Sequence, residues 1–281
     1  MKVSSSYEDK MKKSYSDLHS THLGGWAYLI DGPLVFNAYT DPEYVERYFT
    51  RNIPPIETIP LKIADFGGGD GILGHIVGGQ LGSTERLPEL FNIDSNPRSL
   101  KYCRDNYPEI KTIKQDLLEP LKKDFFDVGL SRFSVQYCSK AEQPKIIKNI
   151  YNSLKKGGFF VLSWPYGEME REYNNITAEI KAVISDRSVA EQKTSRHNYL
   201  PGKMSLILEG QGFVNVSFKD GGYLLHSVSS WAERFKLTVS KVGSLRAIYE
   251  KYYEATPELF ECIDREIYLI TKVAFLYATK P

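Results

Sequence analysis

The stretch Leu61-Lys62-Ile63-Ala64-Asp65-Phe66-Gly67-Gly68-Gly69-Asp70-Gly71-Ile72-Leu73-Gly74 decides the fold of this chain. Ile63, Ala64 and Phe66 make an apolar run of the length that suits a buried parallel strand. A glycine cluster follows: Gly67, Gly68, Gly69 and Gly71. A helical pattern resumes at Ile72 and runs to about Val77. The order is strand, tight turn, helix. Glycine is needed where the turn takes positive φ and where a ligand lies against the backbone with no Cβ between them. The N-terminus of the following helix points at whatever occupies the turn.

Two ligand classes use such a turn. Gly69, Gly71 and Gly74 match G-x-G-x-x-G, the dinucleotide fingerprint. Asp94 follows at roughly the expected distance of about 20 residues. An NAD(P)-dependent oxidoreductase is one expectation. Against it stand Asp65 at the mouth of the turn and Asp70 inside it, because carboxylates beside a pyrophosphate repel it. S-adenosyl-L-methionine has no phosphate and carries a sulfonium and an ammonium, which acidic neighbours suit. Asp65-Phe-Gly67-Gly-Gly69-Asp-Gly71 resembles motif I of the class I S-adenosylmethionine-dependent methyltransferases, D/E-x-G-x-G-x-G, at every defined position.

Composition sets outer bounds. The chain has 281 residues, 42% hydrophobic and 25% charged, ordinary values for a soluble globular protein. Its net charge of +1 offers no global field for nucleic acid. Cys103, Cys138 and Cys262 are too far apart for a metal-ligand pattern or a disulfide framework, so no metal is expected and a reducing cytoplasm is. No signal peptide and no membrane span of roughly 18 apolar residues is visible.

The rest of the chain alternates. Strands are predicted at 61–66, 90–93, 110–114, 126–130 and 159–164, with helices from Pro97 to about Asn106 and from about Ala141 to Leu154. This βαβα order predicts a doubly wound α/β fold. Residues 155–158, Lys-Lys-Gly-Gly, read as the stop of the second helix. A short helix around Met204 to Leu208 and a strand from Phe213 to Phe218 follow. The last strand spans about Ile267 to Tyr277. Residues 1–57 form a predicted helical N-terminal cover. Residues 58–281 form the core, with helical insertions at about 167–199 and 222–264.

The methyltransferase resemblance extends beyond the turn. Lys155-Lys-Gly-Gly-Phe-Phe-Val-Leu resembles the family's turn into strand five, and Ala274-Phe-Leu-Tyr-Ala-Thr-Lys-Pro its last strand. It covers 58–166 closely and 200–281 in outline. It implies a mostly parallel seven-stranded sheet with helices on both faces and an antiparallel last strand. One departure is plain: the family joins strands six and seven by a short turn, whereas a long segment intervenes here.

The resemblance also assigns roles. Asp65 and Gly67 to Gly69 would hold the methionine end of the cofactor, and Ser131 would lie under the sulfonium. Asp116 with Leu117 resembles the adenine contact, and Tyr15 resembles an N-terminal tyrosine that reaches the cofactor. Asp94, at the end of the second strand, can accept both ribose hydroxyls through its two oxygens. Transfer from an activated sulfonium requires alignment and exclusion of water, with a base only where the acceptor keeps a proton. His197 is the expected base, on position alone. The cover at 24–49 and the insertion at 167–199 are expected to close over the site.

The expected acceptor is a small molecule with an apolar or aromatic body, with neither nucleic acid nor membrane as partner. Trp26, Tyr28, Phe36, Tyr39, Trp164, Tyr166, Tyr199, Tyr223 and Trp231 are the candidate walls of its pocket, or else the packing of the insertions. A methyltransferase-like protein that binds without transferring is the non-enzymatic alternative.

Overall fold

The structure is a computed structural model that describes residues 27–29, 34–35, 41–82, 87–167, 169–189, 198–263 and 265–281. Tyr15, His197 and most of the expected cover lie outside the described residues. The strands are β1 (Ala27–Leu29), β2 (Leu34–Val35), β3 (Lys62–Phe66), β4 (Glu89–Asp94), β5 (Ile110–Lys114), β6 (Phe126–Arg132), β7 (Leu154–Tyr166), β8 (Val214–Ser227), β9 (Phe260–Ile263) and β10 (Glu266–Thr279). The helices are α1 (Pro42–Tyr48), α2 (Ile72–Leu81), α3 (Pro97–Asn106), α4 (Gln143–Ser153), α5 (Glu170–Ser185), α6 (Pro201–Gly210), α7 (Val228–Phe235) and α8 (Val239–Ala255).

The chain divides into two compact units. The larger takes the described residues of 38–166, 197–221 and 273–281. Its strand order is β8-β10-β7-β6-β3-β4-β5. The pairs β3–β4, β3–β6, β4–β5 and β6–β7 are all parallel. Strand order therefore reverses between β3 and β6, the place where open α/β sheets bind ligands at their carboxyl ends. The glycine turn leaves β3 at this point.

The pleat assigns the faces. Ala64 and Phe66 enter a core with Ile146, Ile147 and Ile150 of α4, Met204 and Leu208 of α6, and Phe160 and Trp164 of β7. Ile63 and Asp65 point the other way. There Leu90, the β4 partner of Ile63, meets α2 at Gly78, where a Cβ would overlap its methyls. Local chemistry sets the helix starts: Asn96 caps α3 through the Arg98 N–H (3.0 Å), with Pro97 in the first turn.

The smaller unit takes the described residues of 1–37, 167–196 and 222–272. β1 pairs antiparallel with β2 and with the 223–225 part of β8, and β9 pairs antiparallel with β10. Lys251 Nζ and Tyr252 Oη of α8 both donate to Glu179 of α5, at 2.9 and 2.6 Å. Trp231 Nε1 donates to Tyr249 Oη (2.9 Å), which donates to the carbonyl of His226 (2.7 Å).

The fold class is the expected one: a mostly parallel sheet with helices packed around it. Three details correct the sequence expectation. The sheet has ten strands among the described residues, the predicted seven plus β1, β2 and β9. β7 starts at Leu154, so Lys155 to Gly158 belong to a strand; Gly157 takes φ +78° inside it. β8 runs to Ser227, so the segment after 222 is helical only from Val228 and ends in strand β9. Gly221 lies within β8. Here it is a close approach, because a Cβ would overlap the Phe275 ring.

Candidate active site

The turn after β3 is built from glycines with two different reasons to be glycine. Gly67 (φ +69°) passes against Ser134, and Gly71 (φ +86°) against Cys103 of α3; at both, a Cβ would overlap the neighbouring side chain. At Gly68 a Cβ would stand 2.5 Å from Asp65 Cγ and 2.6 Å from Asn92 Oδ1. These three are glycine for the sake of the protein's own packing. Gly69 (φ +56°) differs: among the described residues no neighbouring atom lies within 4 Å of where its Cβ would be. That open face is where a ligand can lie on the backbone.

Both peptide groups of Gly69 are fixed from β4. Asn92 Nδ2 donates to the Gly69 carbonyl (2.8 Å), and the Gly69 N–H donates to Asp94 Oδ2 (2.9 Å). Asp94 Oδ1 accepts from the Asn96 N–H (2.7 Å). Burial pushes the Asp94 carboxyl up, and these N–H groups oppose it. Asp70 Oδ1 accepts from the Ile72 N–H (3.1 Å) at the start of α2.

Asp65 is 2% exposed, and among the described residues its carboxyl oxygens have no well-formed hydrogen bond, only the nearby N–H of Gly74. Burial pushes its pKa up to about 7; the Arg132 guanidinium opposes the rise, and Asp70 and Asp94 add to it. A buried carboxyl so sparsely hydrogen-bonded is costly unless a further donor arrives.

Beneath the turn, Ser134 Oγ donates to the Phe66 carbonyl (3.0 Å). A hydroxyl has one proton, so Ser131 Oγ is the donor in its 2.6 Å contact with Ser134 Oγ. Ser131 is fully buried and acts on the turn through Ser134. Asp116 is exposed and closes its own turn, with Oδ1 accepting from the Leu118 N–H (2.9 Å). Leu117 is half-buried against the core, and its carbonyl accepts from Asn149 (2.8 Å).

The structure thus brings Asp65, Gly67, Gly69, Asp94 and Ser131 to one turn, with Asp116 and Leu117 following the adjacent strand β5. It adds Asn92, Ser134 and Cys103. Asn92 had a sequence signal, a lone amide inside Leu90-Phe91-Asn92-Ile93. Of the histidines, His75 lies on the surface of α2 with Nδ1 2.6 Å from Glu109 Oε1, and His226 is buried in the smaller unit. Trp164 is fully buried and donates to the Tyr199 carbonyl (2.8 Å), so it is core rather than pocket wall. Trp231 is likewise packed inside its own unit.

One packing claim is directly testable. Gly71→Ala should destabilise the protein by about 1–2 kcal/mol from the positive φ and about 1–3 kcal/mol from overlap with Cys103. Combining it with Cys103→Ala should recover only the second part. Additive losses in urea melts would show that Cys103 does not set this requirement.

The fold is the one shared by class I S-adenosylmethionine-dependent methyltransferases. Residues 64–162 match the family model described as a methyltransferase domain. No curated protein matches the chain. Among solved structures, it is similar to a putative methyltransferase from Bacillus halodurans, at 14% identity and TM-score 0.59, covering 85% of this chain and 97% of that one. It is similar to the [4+2]-cyclase SpnF, at 13% identity and TM-score 0.58, covering 99% and 97%. Phosphoethanolamine N-methyltransferase 2 from Haemonchus contortus, solved with S-adenosylhomocysteine, is similar at 14% identity and TM-score 0.55, covering 85% of this chain and 53% of that one.

The residues present fit S-adenosyl-L-methionine. Asp65 supplies unmet acceptors for a cation, and Gly69 leaves room for a ligand against the backbone. The carboxylates near the turn oppose a pyrophosphate.

Proposed function

We propose that the chain transfers a methyl group from S-adenosylmethionine to a small acceptor with an apolar or aromatic body, by in-line displacement. The observation that carries this reading is the acidic turn with one glycine open to ligand. The cofactor supplies an already activated methyl group. The chain's residues bind and orient: Asp65 takes the cationic methionine end, Asp94 the ribose hydroxyls, and Asp116 with Leu117 the adenine. Ser131 and Ser134 hold the floor of the turn through the Phe66 carbonyl. Alignment and exclusion of water are then the main catalytic devices. His197 is the proposed base where the acceptor carries a proton.

The near-zero net charge supports a small acceptor over nucleic acid. No helix among the described residues is long and apolar enough to cross a membrane. Three free cysteines accord with a reducing cytoplasm. The likeness to a [4+2]-cyclase favours one second reading, a protein of this fold that catalyses a different reaction.

Calorimetry with S-adenosylhomocysteine and NAD(H), followed by labelled-methyl transfer to a panel of aromatic and aliphatic acceptors, tests the reading. Binding of S-adenosylhomocysteine without comparable NAD(H) binding, and transfer to a small acceptor, are expected. Tight RNA binding with a steep salt slope would sink the acceptor class. Loss of transfer in His197→Ala near neutral pH, recovered at high pH where the acceptor ionises by itself, would support the base; full activity at every pH would remove it.

A further inference from the structure

Asp65 and Asn92 are direct partners in the parallel β3–β4 ladder, so their side chains share one face of the sheet. Asn92 is 1% exposed. Its orientation is fixed, because the Gly69 carbonyl requires the Nδ2 donor (2.8 Å). Oδ1 therefore points the other way, toward Gly68. There it and Asp65 Oδ2 each stand 2.6 Å from the same point, the position a Gly68 Cβ would take. Both oxygens are buried, and both lack a hydrogen-bond partner among the described residues.

Two buried acceptors on the same side of Gly68, neither reached by water, are costly. One proton removes that cost. We propose that Asp65 carries a proton in the ligand-free protein and donates it to Asn92 Oδ1, so that Asn92 is a positioning residue that locks the glycine turn and holds Asp65 neutral. A cationic group entering the turn supplies its own N–H donors to the carboxylate, and the proton leaves to solvent. The second half rests on the cofactor reading above; the first does not.

The surroundings agree. Facing Asp65 are Arg132 from β6, Asp70 from the turn, Asp94 from β4, Cys103 from α3 and the Gly74 N–H of α2. Arg132 and the N–H favour the carboxylate. Burial and two carboxylates oppose it, and burial dominates, placing the titration at about 7. Linkage fixes the sign. The folded state binds this proton more tightly than the unfolded chain, so its contribution to stability is full below about pH 4 and lost as pH rises toward 7. Cofactor affinity runs the opposite way and rises with pH over the same range.

Infrared difference spectra of the free wild-type protein against Asp65→Asn come first. A protonated carboxyl band that is present at pH 6 and fades with a midpoint near 7 is expected. A carboxylate already ionised at pH 5.5 overturns the proposal whatever the protein binds. Asn92→Asp places a second carboxyl on the same proton and should move the midpoint up by more than about one unit, a change that mere loosening of the turn would not produce.

Calorimetry with S-adenosylhomocysteine, in buffers of different ionisation enthalpy, then tests the exchange. Release of about 0.9 proton per ligand at pH 6, and of almost none at pH 8.5, is expected for a group titrating near 7. Affinity should rise about thirtyfold from pH 5.5 to 8. Tight binding with no proton release at pH 6 overturns the exchange but leaves the cofactor reading standing. Absence of binding removes that reading, and the infrared result still decides the shared proton.

Discussion

Gly69→Val should abolish cofactor binding, with affinity falling at least about 100-fold, or roughly 2.7 kcal/mol. The open face of Gly69 is the reason: among the described residues no neighbouring atom lies within 4 Å of the new Cβ, so the two added methyls occupy ligand space. The substitution also places a β-branched residue at φ +56°. That strain costs roughly 1–2 kcal/mol, and a melting temperature a few degrees lower is expected. Calorimetry at 15 °C, where the variant remains folded, separates the two effects. Normal affinity in a folded Gly69→Val protein would show that the turn does not cradle the ligand. Gly71→Val is the contrast, since its side chain meets Cys103 and the loss should appear in folding.

Asp94→Ala should weaken binding by about 2–4 kcal/mol, or roughly 30- to 1000-fold, through loss of two charge-assisted hydrogen bonds to the ribose. The structure adds a consequence. Asp94 already accepts from the Gly69 and Asn96 N–H groups, so alanine also frees two donors and loosens the turn. Asp94→Asn keeps one acceptor oxygen and removes the charge. An affinity near wild type for Asp94→Asn would assign the effect of alanine to the turn. Equal loss in both variants would assign it to the carboxylate. An unchanged dissociation constant in Asp94→Ala would remove the residue from the site.

The parts of this site that were legible in sequence are those written locally. Asp65, the glycines and Asp94 announce themselves by spacing from a strand and a turn, and strand-end position carries Asp94 to the ligand edge. Asn92 is different. Its amide was visible as a polar residue in an apolar strand, but its role depends on register: Asn92 stands beside Asp65 only because β3 and β4 pair as they do. Ser131 was placed at the correct strand end, yet its hydroxyl is consumed by Ser134, a contact set by the turn after β6. β8 was cut short because its alternation was followed only from Phe213 to Phe218. Only the Phe275 ring on the neighbouring strand reveals why Gly221 is there. The assignments to Tyr15 and His197 fall outside the described residues, and their support remains that of sequence.

The division of labour among the turn's glycines bears on how such motifs inform. Gly67, Gly68 and Gly71 answer to serine, carboxyl, amide and thiol groups of the protein itself, and Gly69 alone answers to empty space. Most of the signature therefore records a scaffold constraint and would survive the loss of its ligand. A descendant that abandoned its ligand would keep three of the four glycines merely to fold, and the pattern would still be recognised. Occupancy is encoded at one position, and there a single tolerated alanine would be the earliest written trace of a changed trade.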